Sequence, residues 1–332
     1  MPPNPLKPFY RYAPIRDLDT LAEVLEISYV QLSQIARSTD RSYRCVPKKK
    51  KNGSPRITWD AYPQLKAVQH LIKVRILAQV TYPLYLQGGI RDLENPRDYA
   101  RNAGIHAGHA CVINEDIADF FPSTTAAQVR DIWRHVFRFP PEVAEILTSL
   151  TTRRGELPQG AKTSNHLANL VFWRDEHELV RHLVSRGWTY SRLTDDITVS
   201  CPRTMSLALK SEVISKLYAF IKRNGYKPKY RKHDIFDHNE RMLVNNLVVN
   251  EHPALPHQER HAIRSLVHKT VQALVAGDGS ATKALLDHVL GKIGKVKRFH
   301  PRTGQRLADK IRRATSYKAG KRKGGRYPMA LT

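Results

Sequence analysis

A chain of 332 residues, 41% of them hydrophobic, is long enough for a substantial core, and it has no run of about 18 apolar residues, which excludes a membrane-spanning helix as the expected role. Its 55 Lys and Arg outnumber 30 Asp and Glu, a net charge of +25, which points to a polyanionic partner and above all to nucleic acid. Three scattered cysteines, Cys45, Cys111 and Cys201, argue against a disulfide framework or a zinc ribbon and for a reducing, cytoplasmic setting.

In chain order, Asp19 is placed to cap a helix from near Leu21, and Val30 to Ala36 forms a second short helix. The pair could also be read as a helix-turn-helix, a weak signal because small helical pairs are common. Tyr43 to Trp59 alternates loosely, contains the basic run Lys48 to Lys51, and is broken by Asn52-Gly53, a hairpin signal. Gln64 to Val80 reads as a helix with Leu65, Val68, Ile72 and Ile76 on one face, and Gln87 to Gly108 as irregular. Ala110 to Ile113 is a short strand running into Glu115-Asp116. Ser164 to Leu183 reads as helical, and Trp188 to Ser200 as two strands meeting at Thr194-Asp195-Asp196. Ser211 to Asn224 is a helix stopped by Gly225, and Met242 to Asn250 is a further strand. The remainder is helical and basic. From Lys292 onward there are 14 Lys or Arg against one acid, Asp309, and Ser316 to Thr332 reads as a flexible tail. Strands alternating with helices, then a basic helical end, give an α+β core with a helical appendage.

In so basic a chain the informative residues are acidic. A tight turn at Asp195-Asp196 projects two carboxylates near one point, and Asp116 ends another strand. If the strands are neighbours, three carboxylates converge, and their repulsion calls for a cation. Magnesium suits oxygen ligands and shares its shell with phosphate, and two such ions can activate a 3′-hydroxyl and stabilise departing pyrophosphate. Read alone, an Asp-Asp pair is as well explained by a surface turn.

The context decides. In order, the chain carries VPKKKKNGSPRITW, NAGIH, EDIADFFPS, LPQGAKTSNHLANL, RLTDDITVS, GYKPKYRKHDI, VNNLVVN and LGKIGKVKRFHP. Matched in order and spacing, these resemble the successive motifs of bacterial reverse transcriptases, most closely those of retrons, over roughly residues 20 to 305. The resemblance implies a right-hand polymerase fold: fingers from residues 1–109 with part of 126–165, a palm with an antiparallel sheet at 110–251, and a basic helical thumb and tail at 252–332. It implies an RNA-directed DNA polymerase with two Mg2+ ions on Asp116, Asp195 and Asp196.

By the same resemblance Phe121 is the steric gate against a ribose 2′-hydroxyl, although a core role for both Phe120 and Phe121 is the alternative. Gln159 and Gly160 lie against template and incoming nucleotide. Arg56 holds the triphosphate, and Lys232 is the basic residue that assists pyrophosphate departure, with Lys227, Lys229 and Arg231 as adjacent candidates. Asn102 and His106 of NAGIH, with Val244, Asn245 and Asn246, stand where retron enzymes contact their RNA, and Lys295, Lys297 and Arg298 would grip backbone. The implied partners are dNTPs, a structured non-coding RNA template and its branched DNA product, together with a separate effector protein in anti-phage defence. No membrane partner is expected. Leu193, Lys162, Asn165 and Asn245-Asn246 depart from the usual motifs. Another defence-associated reverse transcriptase, and a catalytically dormant RNA-binding scaffold, are the alternatives.

Overall fold

The computed structural model describes residues 4–49, 53, 55–276 and 283–322, without the side chains of residues 232 and 317–322. The chain divides into two compact units, Met1–Asn245 and Asn246–Thr332.

In the first unit, β1 (Phe9–Tyr10) leads to α1 (Leu18–Leu25) and α2 (Tyr29–Ser38). The α1 cap is Asp17, whose carboxylate accepts from Thr20 N at 2.7 Å, so the helix starts earlier than a cap at Asp19 would allow. Leu21 and Leu25, one turn apart, are fully buried. The hairpin follows as β2 (Tyr43–Lys49) and β3 (Pro55–Ala61), in register from Tyr43 opposite Ala61 to Lys49 opposite Pro55. Lys50, Lys51 and Asn52, part of the expected basic run and turn, lie outside the described residues.

Next come α3 (Pro63–Arg75), β4 (Val80–Thr81) and α4 (Tyr99–Ile105). The last of these corrects the expectation of an irregular segment. Asp98 caps it by accepting from Ala100 N and Arg101 N, both at 2.9 Å. The central strand is β5 (Cys111–Ala118), and it is followed by α5 (Phe120–Ser123), α6 (Ala126–His135) and α7 (Pro141–Thr151). Where one helix was expected from Ser164 to Leu183 there are two, α8 (Ser164–Leu170) and α9 (Glu176–Ser185).

The hairpin of β6 (Thr189–Leu193) and β7 (Asp196–Cys201) is as expected, and α10 (Leu207–Arg223) ends before Gly225 at φ 82°. Short strands β8 (Lys227–Pro228) and β9 (Asp234–Asp237) complete a five-stranded antiparallel sheet, in which β5 lies between β7 on one side and β8 and β9 on the other. The strand expected over Met242 to Asn250 is instead a ribbon of β10 (Leu243–Val244) and β11 (Leu247–Val248). Asn245 and Asn246 between them have φ 49° and 63°, as a primed two-residue turn demands.

The second unit is helical: α11 (His257–Ala276), α12 (Lys283–Phe299) and α13 (Pro301–Arg322). Helix α13 extends into the expected tail, of which residues 323–332 lie outside the described residues.

The sheet of the first unit carries unusual polar packing. His106, just past α4, is fully buried between Ser191 of β6 and Ser200 of β7, its ring nitrogens 2.7 and 2.6 Å from the hydroxyls. Burial, with His109 close by, pushes its pKa down to about 3. A histidine held neutral in the folded state but free to charge when unfolded makes acid destabilising. Stability is therefore lost as pH falls below about 6.5 toward the folded value. Between pH 6.0 and 4.5, His106→Gln is expected to lessen the pH dependence of the unfolding free energy, measured by urea titration, by up to about 1.4 kcal/mol per pH unit. An unchanged slope would remove His106 as a source of acid sensitivity.

Candidate active site

The register of β5 against β7 places Asp116 directly opposite Asp196. Such cross-strand neighbours have Cβ atoms about 4.5–5.5 Å apart, where like charges are destabilising. Asp195 is in the two-residue loop joining β6 to β7, and its carbonyl accepts from Ile117 N at 3.1 Å. The two strands thus bring Asp116, Asp195 and Asp196 to one end of the sheet. Thr194, the other loop residue, has φ 64°, a position where such turns favour glycine.

Positive charge already meets this cluster. Lys229 Nζ is 2.9 Å from Asp116 Oδ2, and Lys229 N donates to Asp116 O at 2.8 Å. Among the described residues no three His, Cys, Asp or Glu side chains converge tightly enough to cage a metal. That is compatible with magnesium, which uses one or two carboxylates and completes its shell with water and substrate phosphate. The facing carboxylates and the ammonium drawn to them fit a cation of this kind. Among the described side chains Lys229 is at Asp116, and the Lys232 side chain, the first choice from sequence, lies outside the described residues.

Phe120 and Phe121 both lie in the hydrophobic core. Phe120 packs 6.0 Å from Phe172 and 5.3 Å from Tyr226, ring to ring, and is core. Phe121 is edge-on to Phe120 and also largely buried, at 7% exposure. The loop holding Gln159 and Gly160 docks on β3: Trp59 N donates to Gln159 O at 2.8 Å. Gly160 has φ 111°, and a Cβ there would lie 2.9 Å from Trp59 O, so only glycine fits. Arg153 caps the Trp59 ring at 3.5 Å, and Arg56 of β3 is exposed opposite Lys48. The structure therefore ties Gln159 and Gly160 to the strand that carries Arg56.

Asn102, His106 and Val244 depart from expectation. All three are fully buried, so none offers a surface to RNA as the chain stands. Asn102 Nδ2 donates to Asn245 Oδ1 at 2.6 Å, joining the two motifs internally, and His106 braces β6 and β7. Asn245 is half-buried and Asn246 exposed. Lys295 is ion-paired to Glu259 at 2.6 Å within the second unit, which neutralises a charge expected to meet phosphate, whereas Lys297 and Arg298 are exposed.

Sequence reading passed over two side chains, Arg192 and Glu176, which form a buried ion pair at 2.6 Å. An arginine inside an apolar strand three residues before Asp195 was the available signal.

No family model matches the chain. It is 33% identical over 267 residues to the retron Se72 reverse transcriptase of Salmonella heidelberg (strain 579083-10), covering 79% of this chain and 69% of the relative. It is 30% identical over 300 residues to the retron Ec48 reverse transcriptase of Escherichia coli, covering 86% and 73%. With the retron Ec86 reverse transcriptase of Escherichia coli the identity is 25% over 295 residues, covering 88% of each. A solved telomerase from Candida albicans with a fragment of telomeric RNA overlaps 64% of this chain and 44% of its own at a TM-score of 0.37 and 11% identity, too distant to bear on function.

Proposed function

The chain belongs to the retron reverse transcriptases, RNA-directed DNA polymerases of right-hand fold, and from that footing we propose that it copies a structured non-coding RNA into DNA at Asp116, Asp195 and Asp196. The observation that carries the reading is Asp116 facing Asp196 beside Asp195, with Lys229 in contact. These carboxylates would hold two Mg2+ ions, supplying Lewis acidity to the attacking 3′-hydroxyl and the leaving pyrophosphate. Lys229, whose ammonium is at the cluster, joins Lys232 as a side chain of this stretch suited to meet the leaving phosphate.

Phe121 follows Asp116 by five residues, and we read it as the gate that crowds a ribose 2′-hydroxyl. Gln159 and Gly160, backed by Trp59, would contact template and nucleotide, and exposed Arg56 the triphosphate, by a bidentate fork. A branched RNA–DNA product, and service in anti-phage defence beside a separate effector protein, rest on family membership. The helical unit, read as the thumb, offers a backbone-binding face: Arg302, Arg306, Lys310 and Arg313 of α13 are exposed at helical spacing.

Asp195→Asn and Asp196→Asn are each expected to abolish DNA synthesis on an annealed RNA template with magnesium while leaving the circular dichroism spectrum unchanged. In the unaltered protein the DNA should copurify with a discrete RNA, be shortened by ribonuclease and be released by a debranching enzyme. Near-normal extension by either folded variant would remove the carboxylates from the chemistry, and an unbranched product with no discrete RNA would remove the retron-type product.

Phe121→Ala is expected to raise the ratio of ribonucleotide to deoxynucleotide incorporation well above that of the parent. An unchanged ratio in an active variant would assign the ring to the core alone.

Neutralising Arg302, Arg306 and Lys310 together is expected to weaken binding to unrelated RNA–DNA duplexes equally. It should also shallow the log–log salt dependence by about 0.7–0.9 for each phosphate that is no longer neutralised. A weakening confined to one sequence would contradict a backbone grip.

A further inference from the structure

Arg192 of β6 has no exposed surface. A guanidinium so placed is strongly destabilising unless its donors are matched. Nε and Nη2 grip the two oxygens of Glu176 at 2.6 and 2.9 Å, and Glu176 also accepts from the Tyr190 hydroxyl at 2.8 Å. The remaining hydrogen bonds go to main-chain carbonyls: Ala168 at 3.3 Å and Asn169 at 3.1 Å in α8, and Thr194 at 2.9 Å in the turn that carries Asp195. One side chain therefore joins α8, α9 and the loop of the two acids.

Thr194 is the residue of that loop most in need of restraint. A β-branched residue at φ 64° sits in a sparsely populated, strained region, which surrounding structure must over-determine. A second set of neighbours closes on the same residue. A Cβ on Gly88 would lie 2.5 Å from Thr194 Oγ1 and 2.8 Å from Thr194 N, so the backbone there approaches as only glycine allows. Asn169 Nδ2 fixes Gly88 O at 2.6 Å. The segment before it runs alongside Arg192, with Arg192 N donating to Tyr85 O and Gln87 N to Arg192 O, both at 2.8 Å.

We propose that Arg192, locked by Glu176, is a positioning residue of the catalytic turn: by holding the Thr194 carbonyl it presets Asp195 and Asp196 against Asp116 for metal. The inference rests on reading those acids as metal ligands. Fold stability alone does not require the pair, because well-packed apolar residues often replace a buried ion pair without loss.

The test uses the full-length protein free of nucleic acid. Mn2+ affinity is read by electron paramagnetic resonance, and kcat and KM for dTTP are read on poly(rA)·oligo(dT). Arg192→Lys keeps the charge beside Glu176 but cannot reach all three carbonyls. The paired Arg192→Met, Glu176→Leu variant removes the ion pair while keeping apolar volume. In whichever variant melts as a folded protein, Mn2+ affinity and kcat should each fall by about tenfold or more while KM for dTTP stays within about twofold, a change confined to the metal-holding turn. A folded variant with parental Mn2+ affinity and kcat overturns the proposal. So does failure of both variants to fold, which would make the pair structural only. Asp196→Asn is the control: if it too binds Mn2+ like the parent, the ligand assignment itself has failed, whereas loss in Asp196→Asn alone refutes only the clamp.

Discussion

Two carboxylates facing each other across adjacent antiparallel strands repel, and the arrangement around Asp116 and Asp196 exists to hold them there. Register is the vulnerable quantity, since a slip of one residue would turn every side chain of β7 to the other face. Several bonds oppose a slip. Thr198 Oγ1 donates to Asn114 Oδ1 at 3.0 Å one side-chain pair away from the acids, and Asn114 Nδ2 reaches Leu243 O at 2.7 Å. Ile117 N continues the ladder past the acids to Asp195 O. Serines on both strands of the β6–β7 hairpin are bridged from behind by His106. Lys229 then places a positive charge beside the pair, which offsets part of their repulsion.

The same economy of polar contacts extends to the nucleotide side. The β2–β3 hairpin is basic and exposed, with Lys48 opposite Arg56, a surface that would wander if left to itself. It does not stand alone, because the Trp59 main chain is bonded to Gln159 and approached by Gly160 to a distance that excludes any side chain. Arg153 over the Trp59 ring adds a cation–π contact worth about 0.5–2 kcal/mol. A shift of the hairpin therefore carries the Gln159–Gly160 loop with it, and charges proposed to meet the triphosphate move together with groups proposed to meet the template.

What could be read from sequence was local. The Asp195-Asp196 hairpin is legible because period-two apolar strands flank a tight polar turn, and α10 because its amphipathic run ends at Gly225. The α4 helix escapes a reading by propensity because Asn102 and Gly104 are poor helix formers, although Asp98 offers a cap. The break between α8 and α9 is not written in local propensity. It coincides with Phe172, which packs against Phe120 and Phe220, and it leaves Glu176 where Arg192 can reach it. The Met242 to Asn250 segment reads as one strand because Asn245-Asn246 looks like a polar interruption rather than a turn with two positive φ angles. The internal contacts of Asn102 and His106 were out of reach for a related reason: their partners lie 143 and 85 to 94 positions away, and no periodicity reports that.

Burial of those two residues gives them an internal, structural task. A side chain with no exposed surface cannot read a base, yet Asn102 fixes Asn245 through a 2.6 Å bond, and Asn245 shares its tight turn with exposed Asn246. A primed turn has little freedom of its own, so anchoring one of its two residues orients the other. NAGIH thus acts from inside the protein, where Asn102 holds the Asn245-Asn246 turn. His106 then belongs to a different task. It ties the segment bearing Asn102 to the strands on either side of the catalytic turn, so the element that sets the Asn245 turn and the element that sets the acids rest on one buried brace.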